Sequence, residues 1–192
     1  MGALTVVEFV TLDGVVQGFH GADERDGFRH SGWGEGYQDP AQFDAAVEHL
    51  PSTGAYLFGR RTYDELSQFW PLQPDENPMA AHLNRTPKFV VTHRDDDLAW
   101  PNARRLDGEL DAAVQALKSS TAGNVTVLGS GSLVQQLLDA VLVDELQLFV
   151  HPLVLGAGHT LFPRHDTLVR LELQSVDRTA TGVVSLTYLV AR

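Results

Sequence analysis

Gly-Ser-Gly-Ser at positions 129–132 stands between the apolar run Val125–Leu128 and the helix-patterned LVQQLL that follows it. A helix start leaves backbone N–H groups without partners and carries a partial positive charge, so it attracts anions. Glycines ahead of it remove side chains and let a phosphate or pyrophosphate reach those donors. Ser130 and Ser132 stand where a side chain either caps the helix or hydrogen-bonds a phosphate oxygen. A tight, serine-capped turn with no ligand is the competing reading. The third glycine of the Rossmann fingerprint is missing and the unit comes late in the chain, so a dinucleotide site here belongs to another fold.

Two further stretches carry the same grammar. YLFGRRTYDEL, Tyr56–Leu66, runs from an apolar strand through Gly59 into two arginines and a threonine that open a helix. A cation at a helix start opposes the dipole unless an anion is held there, and guanidinium matches phosphate in a bidentate fork. A solvated arginine pair on an acidic protein is the alternative. HPLVLGAGHTLF, His151–Phe162, ends a strand at Pro152 and places Gly156 and Gly158 ahead of Thr160. Other chemistries find less support. There is no cysteine, which removes disulfides, thiol nucleophiles and cysteine-based zinc sites. The eight histidines form no His-x-x-x-His or tight His/Asp cluster, so no metal site is expected. His151 reads as structural, and Gly-x-Ser-x-Gly is absent.

The elements that must position these residues follow from pattern. Strands are predicted at Leu4–Val10, Ala55–Phe58, Lys88–Thr92, Val125–Leu128, Glu145–Val150, Leu168–Val176 and Val183–Val190. Helices are predicted at Ala41–Leu50, Arg61–Phe69, Met79–Asn84, Leu110–Ser119 and Ser132–Val141. Alternation of the two through residue 150 implies parallel, helix-covered strands, and the last two strands form an antiparallel hairpin. The expected architecture is an α/β sandwich with a mixed sheet. Asp13–Pro40 breaks the rhythm: it is glycine-rich and carries Phe19, Phe28, Trp33 and Tyr37. Aromatics are scarce in disordered linkers, which favours a cover over a ligand. Trp33 is the candidate for stacking on a substrate. Trp70–Pro78 is a proline-rich surface loop.

Composition narrows the class. A chain of 192 residues with 43% apolar and 20% charged residues fits one domain, at most two. The net charge of −11 argues against a nonspecific nucleic-acid binder. No run approaches the roughly 20 apolar residues of a membrane span. The N-terminus has no basic region, its apolar run is interrupted by Glu8, and it reads as a strand rather than a signal peptide. A cytoplasmic location fits the absence of cysteine.

In this order the three stretches resemble the dihydrofolate reductase-like superfamily, above all the reductase domain of bacterial riboflavin biosynthesis and its stand-alone relatives. FVTLDGVV at Phe9–Val16, TPKFVVT and the closing TGVVSLTYLV extend the likeness over nearly the whole chain, the Asp13–Pro40 segment least. The resemblance implies a three-layer sandwich of that type, mostly parallel with a C-terminal antiparallel hairpin, in a single domain covering residues 1–192. It implies NADPH as cofactor, with Gly59, Arg60 and Thr62 at its phosphates and Gly129, Ser130, Gly131, Ser132 and Leu133 at the pyrophosphate. It places Thr92, His93 and Arg94 at the adenosine 2′-phosphate, Thr160 at the last glycine turn and Val16 beside the nicotinamide. Asp13 would line or brace the substrate site. Asp44 is the candidate for the carboxylate that protonates or orients a pterin, with Glu48 behind it; a solvated helix residue is the more usual reading of either. The zinc deaminase often fused to such domains is absent from these residues. The implied activity is hydride transfer to a small pterin- or pyrimidine-like molecule, of the dihydrofolate or (phosphoribosylamino)uracil reductase type, in a homodimer. A nucleotide-binding or regulatory protein without turnover, on the same scaffold, is the alternative.

Overall fold

The computed structural model of the protein describes residues 2–21, 23, 25–162 and 168–191. In chain order the elements are β1 (Leu4–Thr11), α1 (Pro40–His49), β2 (Thr53–Gly59), α2 (Arg60–Phe69), α3 (Pro78–Arg85), β3 (Lys88–Val91), β4 (Ala103–Arg105), α4 (Leu110–Ser120), β5 (Asn124–Leu128), α5 (Gly131–Asp139), β6 (Glu145–His151), β7 (Leu171–Arg178) and β8 (Val184–Val190). All seven expected strands and all five expected helices are present, with ends shifted by a few residues. The short edge strand β4 was not anticipated.

The strands form one sheet in the order β4-β3-β2-β5-β1-β6-β8-β7. β4, β3, β2, β5, β1 and β6 are mutually parallel, and β8 pairs antiparallel with both β6 and β7. β1 and β5 are neighbours, and their chains leave in opposite directions, β1 toward β2 and β5 toward β6. Right-handed crossovers in opposite directions lie on opposite faces of a sheet, so a crevice opens at the C-terminal ends of β1 and β5.

Side-chain alternation decides which face each helix covers. Leu4, Val6 and Val10 of β1 are buried with Val125 and Val127 of β5 and Leu146 and Leu148 of β6. Against them α5 lays Leu133, Val134, Leu137 and Leu138, an apolar stripe at helical spacing, and α4 adds Val114 and Leu117. On the other face Tyr56 and Phe58 of β2 pack with Tyr63 of α2, Leu83 of α3, Val90 of β3 and Trp100. The helix α3 starts cleanly, because the Asn77 side chain accepts from the Met79 and Ala80 N–H groups and Pro78 needs no donor there. Among the described residues, no helix is long and apolar enough to cross a membrane.

The helix α5 packs on the sheet through its buried Leu133, Val134, Leu137 and Leu138, so its position depends on that packing. Leu137 is fully buried. Replacing it with alanine is expected to lower the unfolding free energy by about 2–5 kcal/mol, as for other buried Leu-to-Ala changes. Urea denaturation monitored by circular dichroism checks this, with an unchanged m-value if the native fold is retained.

Candidate active site

Where β5 becomes α5, two consecutive residues take left-handed backbone angles, Gly129 at φ 68° and Ser130 at φ 71°. Glycine enters this region freely, whereas serine does so at a cost of about 1–2 kcal/mol. The structure holds Ser130 there through its side chain. The Gly59 N–H donates to Ser130 Oγ at 2.8 Å, and the Ser130 hydroxyl donates to Thr62 Oγ1 at 2.7 Å. Ser130 makes no capping bond to its own helix. The cap reading is therefore corrected: this hydroxyl joins the start of α5 to the start of α2. A Cβ on Gly59 would lie 2.9 Å from Ser130 Oγ, so glycine is required there for the two turns to meet.

The joined turns open on a cleft of about 1840 Å³ that extends from the C-terminal ends of the strands across the sheet face to Thr5, Thr53, Asn124 and Glu145 at their starts. Single drug-sized ligands occupy roughly 300–1,000 Å³, so this space accommodates more than one small group. Gly59, Arg60, Thr62, Thr92, His93, Arg94, Gly129, Ser130, Gly131, Ser132, Val16 and Thr160 all line it. Val16 touches the turn, since a Cβ on Gly131 would meet its Cγ2 at 3.0 Å. Thr160 is fixed by a β-bridge to Val15. Leu133 is different. Its side chain is part of the core under α5, and its N–H is spent on the Ser130 carbonyl at 2.7 Å.

Arg60 has found anions within the chain. Its Nε donates to Asp64 at 2.8 Å, and its two terminal nitrogens fork onto Asp96 at 2.6 Å each. These hydrogen bonds, Asp96 first, raise the guanidinium above its ordinary value, and Arg60 holds the Asp96 carboxyl below the usual carboxylate range. Arg94 is more exposed and stands 3.7 Å from Asp64.

The segment 13–40 folds against the cleft. Val15, Phe28 and Trp33 form a small core of their own, with Phe9, Phe19, Leu153 and Leu155 packed around it. Gln17 ties it down, accepting from the His159 N–H through its side chain and from Trp33 Nε1 through its carbonyl. Phe19, His20 and Tyr37 of this segment line the cleft. Trp33 does not: its ring is buried edge-on to Phe19 and His151, with no face left for a substrate. The stacking role assigned to Trp33 is thus corrected to a packing role. Asp13 is a brace, not a cleft residue. One carboxylate oxygen accepts from Thr11 Oγ1 at 2.6 Å and the other from the Leu155 and Gly156 N–H groups. The Thr11 and Gly156 bonds hold its carboxyl below the usual range. Asp44 and Glu48 are exposed on α1 outside the cleft, to which that helix contributes Phe43, Ala46 and His49.

Two further residues, given no ligand role by the sequence, line the cleft. His151 is buried among the rings of Phe9, Phe19, Trp33 and Tyr37 at centroid distances of 6.1, 5.4, 5.1 and 5.4 Å, and burial pushes its imidazole toward the neutral form. Glu8, which reads as an interruption in a strand, lines the cleft from β1. Among the described residues, no group of three or more His, Asp or Glu side chains is gathered as a metal ion needs.

Comparison with known proteins gives this geometry a family. The Bacillus subtilis (strain 168) protein YyaP, itself uncharacterized, is 26% identical over 181 residues, 93% of this chain and 90% of its own. A Shewanella sp. PV-4 protein named for riboflavin biosynthesis superposes with a TM-score of 0.77 at 21% identity, covering 99% of each chain. Enterococcus faecalis dihydrofolate reductase, solved with NADP(H), superposes at 0.58 and 17% identity over 100% of this chain and 98% of its own. These two share the fold, a dihydrofolate reductase-like sandwich. The family model described as RibD C-terminal domain matches residues 3–185. The chain belongs to the RibD C-terminal domain family.

Proposed function

We propose that the chain is an NADPH-dependent reductase that passes a hydride to a small heteroaromatic molecule of the pterin or pyrimidine kind. The observation that carries this reading is the Ser130 hydroxyl, which holds the N-termini of α2 and α5 side by side. Two helix dipoles directed at one place favour a diphosphate over any neutral group. The donor set agrees with that choice: Thr62 and Ser132 line the same cleft as Arg60 and Arg94. When bound, the reduced nicotinamide supplies the hydride. The chain's own residues then bind, orient and exclude water. Val16 offers an apolar wall beside the Gly131 turn. The 13–40 segment closes one side with aromatic rings, which keeps water from the transfer. Thr92, His93 and Arg94, following β3, line the same cleft, which supports assigning them to the adenosine 2′-phosphate. Arg60 can join them only by releasing Asp96.

A nucleotide binder without turnover is favoured by one observation: neither carboxylate of α1 lines the cleft, so a proton donor on that helix is lacking. Oxidation of the reduced nucleotide in the presence of dihydropterins or aminopyrimidines separates the two readings. A homodimer is proposed from β7, which is exposed along its whole length and carries Leu171, Leu173 and Val176. An uncovered, apolar edge strand is a pairing surface.

Arg60→Ala is expected to weaken NADPH binding by roughly 10- to 100-fold, the size of a lost charge-assisted hydrogen bond, while leaving NADH nearly unchanged. Asp96→Asn, which frees the fork, should tighten NADPH selectively. Calorimetric titration of each variant with both nucleotides checks this, and equal losses for the two would discredit the 2′-phosphate role. Light scattering coupled to size exclusion should give a dimer mass for the native chain and a monomer mass for Leu173→Asp; a native monomer refutes the pairing.

A further inference from the structure

Glu8 is the one acidic residue of β1. It follows Val6 and precedes Val10 on the face that α5 covers, and it is only 4% exposed. Its Oε1 is the single buried side-chain oxygen or nitrogen among the described residues that makes no hydrogen bond. A buried polar atom left without a partner destabilises a fold and calls for an explanation. Packing does not provide one, because a leucine at this position would continue the apolar row of Leu4, Val6 and Val10.

The surroundings suggest what the atom is kept for. The Gly129 N–H donates to the carbonyl of Val7, the residue before Glu8, at 3.0 Å, so the backbone at Glu8 adjoins the Gly129–Gly131 turn. Glu8 lines the cleft together with Val16, Gly131, Gln135 and Thr160. We propose that Glu8 is a ligand-binding residue whose carboxyl O–H donates a hydrogen bond to a carbonyl or carboxamide oxygen of the molecule seated against this turn. The proposal rests on the cofactor reading above, whose nicotinamide end carries such an oxygen.

A carboxyl can donate only while it keeps its proton, and the environment favours that state. Burial pushes the Glu8 carboxyl up to about 8, with no charged partner to oppose it. The packed elements bear this out. On β6, Glu145 and His151 alternate onto the opposite face with Gln147 and Phe149. β5 has no titratable side chain, and α5 has only Asp139 at its far end. On α4, Lys118 is paired with Asp144 at the Leu4 end of β1, and Asp111 opens the helix. In the flanking loops, His159 is paired with Asp26, and Asp13 is bonded to Thr11 and the 155–156 backbone. A neutral carboxylic acid held in an apolar site as a donor is a known catalytic and binding device.

The test is titration of the whole chain and its Glu8→Gln and Glu8→Leu variants with NADPH and NADH, at pH values from 6 to 10, beside thermal denaturation. Native affinity should hold up to about pH 8 and then fall as Glu8 ionises. Glu8→Gln, which keeps a donor but cannot titrate, should bind within a few-fold of the native chain at neutral pH and lose that fall. Glu8→Leu should bind at least 10-fold more weakly, the factor for one lost hydrogen bond of about 1.4 kcal/mol, and yet melt at a higher temperature. Loss of binding with gain of stability is not the behaviour of a residue kept for packing. Native-like affinity in Glu8→Leu, or a Glu8→Gln profile that falls with pH as the native one does, overturns the proposal while leaving the cofactor reading intact. Should Glu8→Leu fail to fold, the Glu8→Gln profile decides alone. If the native chain binds neither nucleotide, the cofactor reading fails and this proposal falls with it.

Discussion

The organisation of this molecule turns on one hydroxyl. Ser130 Oγ accepts from the Gly59 backbone and donates to Thr62, so two strand-to-helix turns separated by 71 residues are locked edge to edge. Each turn alone is an ordinary feature of parallel α/β sheets. Together they bring two positive helix ends and a set of small polar residues onto one wall of the crevice at the ends of β1 and β5. The left-handed backbone at Ser130 is tolerated because both hydrogen-bonding capacities of its side chain are used. Strain stored in this way, at the centre of a cleft and satisfied by long-range bonds, is characteristic of functional sites.

The second constraint is the 13–40 segment. Among its described residues it has no long helix or strand, yet it folds around Val15, Phe28 and Trp33 and is pinned to the 151–160 turn by Gln17 and Asp13. Phe19 stacks on Phe9 at 4.3 Å, and Phe9 on Phe149 at 5.1 Å, which lines the sheet side of the cleft with flat apolar surface. Such a wall suits a planar ring, whereas the opposite end, with its arginines and helix starts, suits phosphate. Within the cleft the arginines and helix starts gather at the ends of β2 and β5, and the aromatic rings over β1 and β6.

Local pattern made most of the fold legible, because β-branched runs and 3.6-residue stripes report directly on burial. It failed where the deciding contact was remote or the signal was missing. The helix α5 stops at Asp139 rather than Val141 because Val141 takes the left-handed angle usually left to glycine, at φ 54°, and nothing in its residue type announces that. The strand β4 has three residues, two of them arginine, too few to show alternation. At the site, glycines, arginines and threonines were readable by type and spacing. Their partners were not. Ser130 had two plausible local uses and took a third, across the sheet. Trp33 looked like a stacking residue, but its indole N–H is satisfied by Gln17 within a folded segment whose packing no local pattern encodes. Asp44 failed on helical phase, since α1 turns Phe43 and Ala46, and not Asp44, toward the cleft. Glu8 was visible only as a defect in an apolar strand.

Asp96 gives Arg60 a counter-ion supplied by the protein itself. An incoming anion therefore trades places with a carboxylate and does not settle on a bare cation. The guanidinium keeps a partner before and after, and Asp96 must return to water as the newcomer arrives. Affinity at this spot is then the difference between two ion pairs, which makes it small for any anion no better than a carboxylate. In a chain with a net charge of −11, such an exchange also screens the site against weakly held anions.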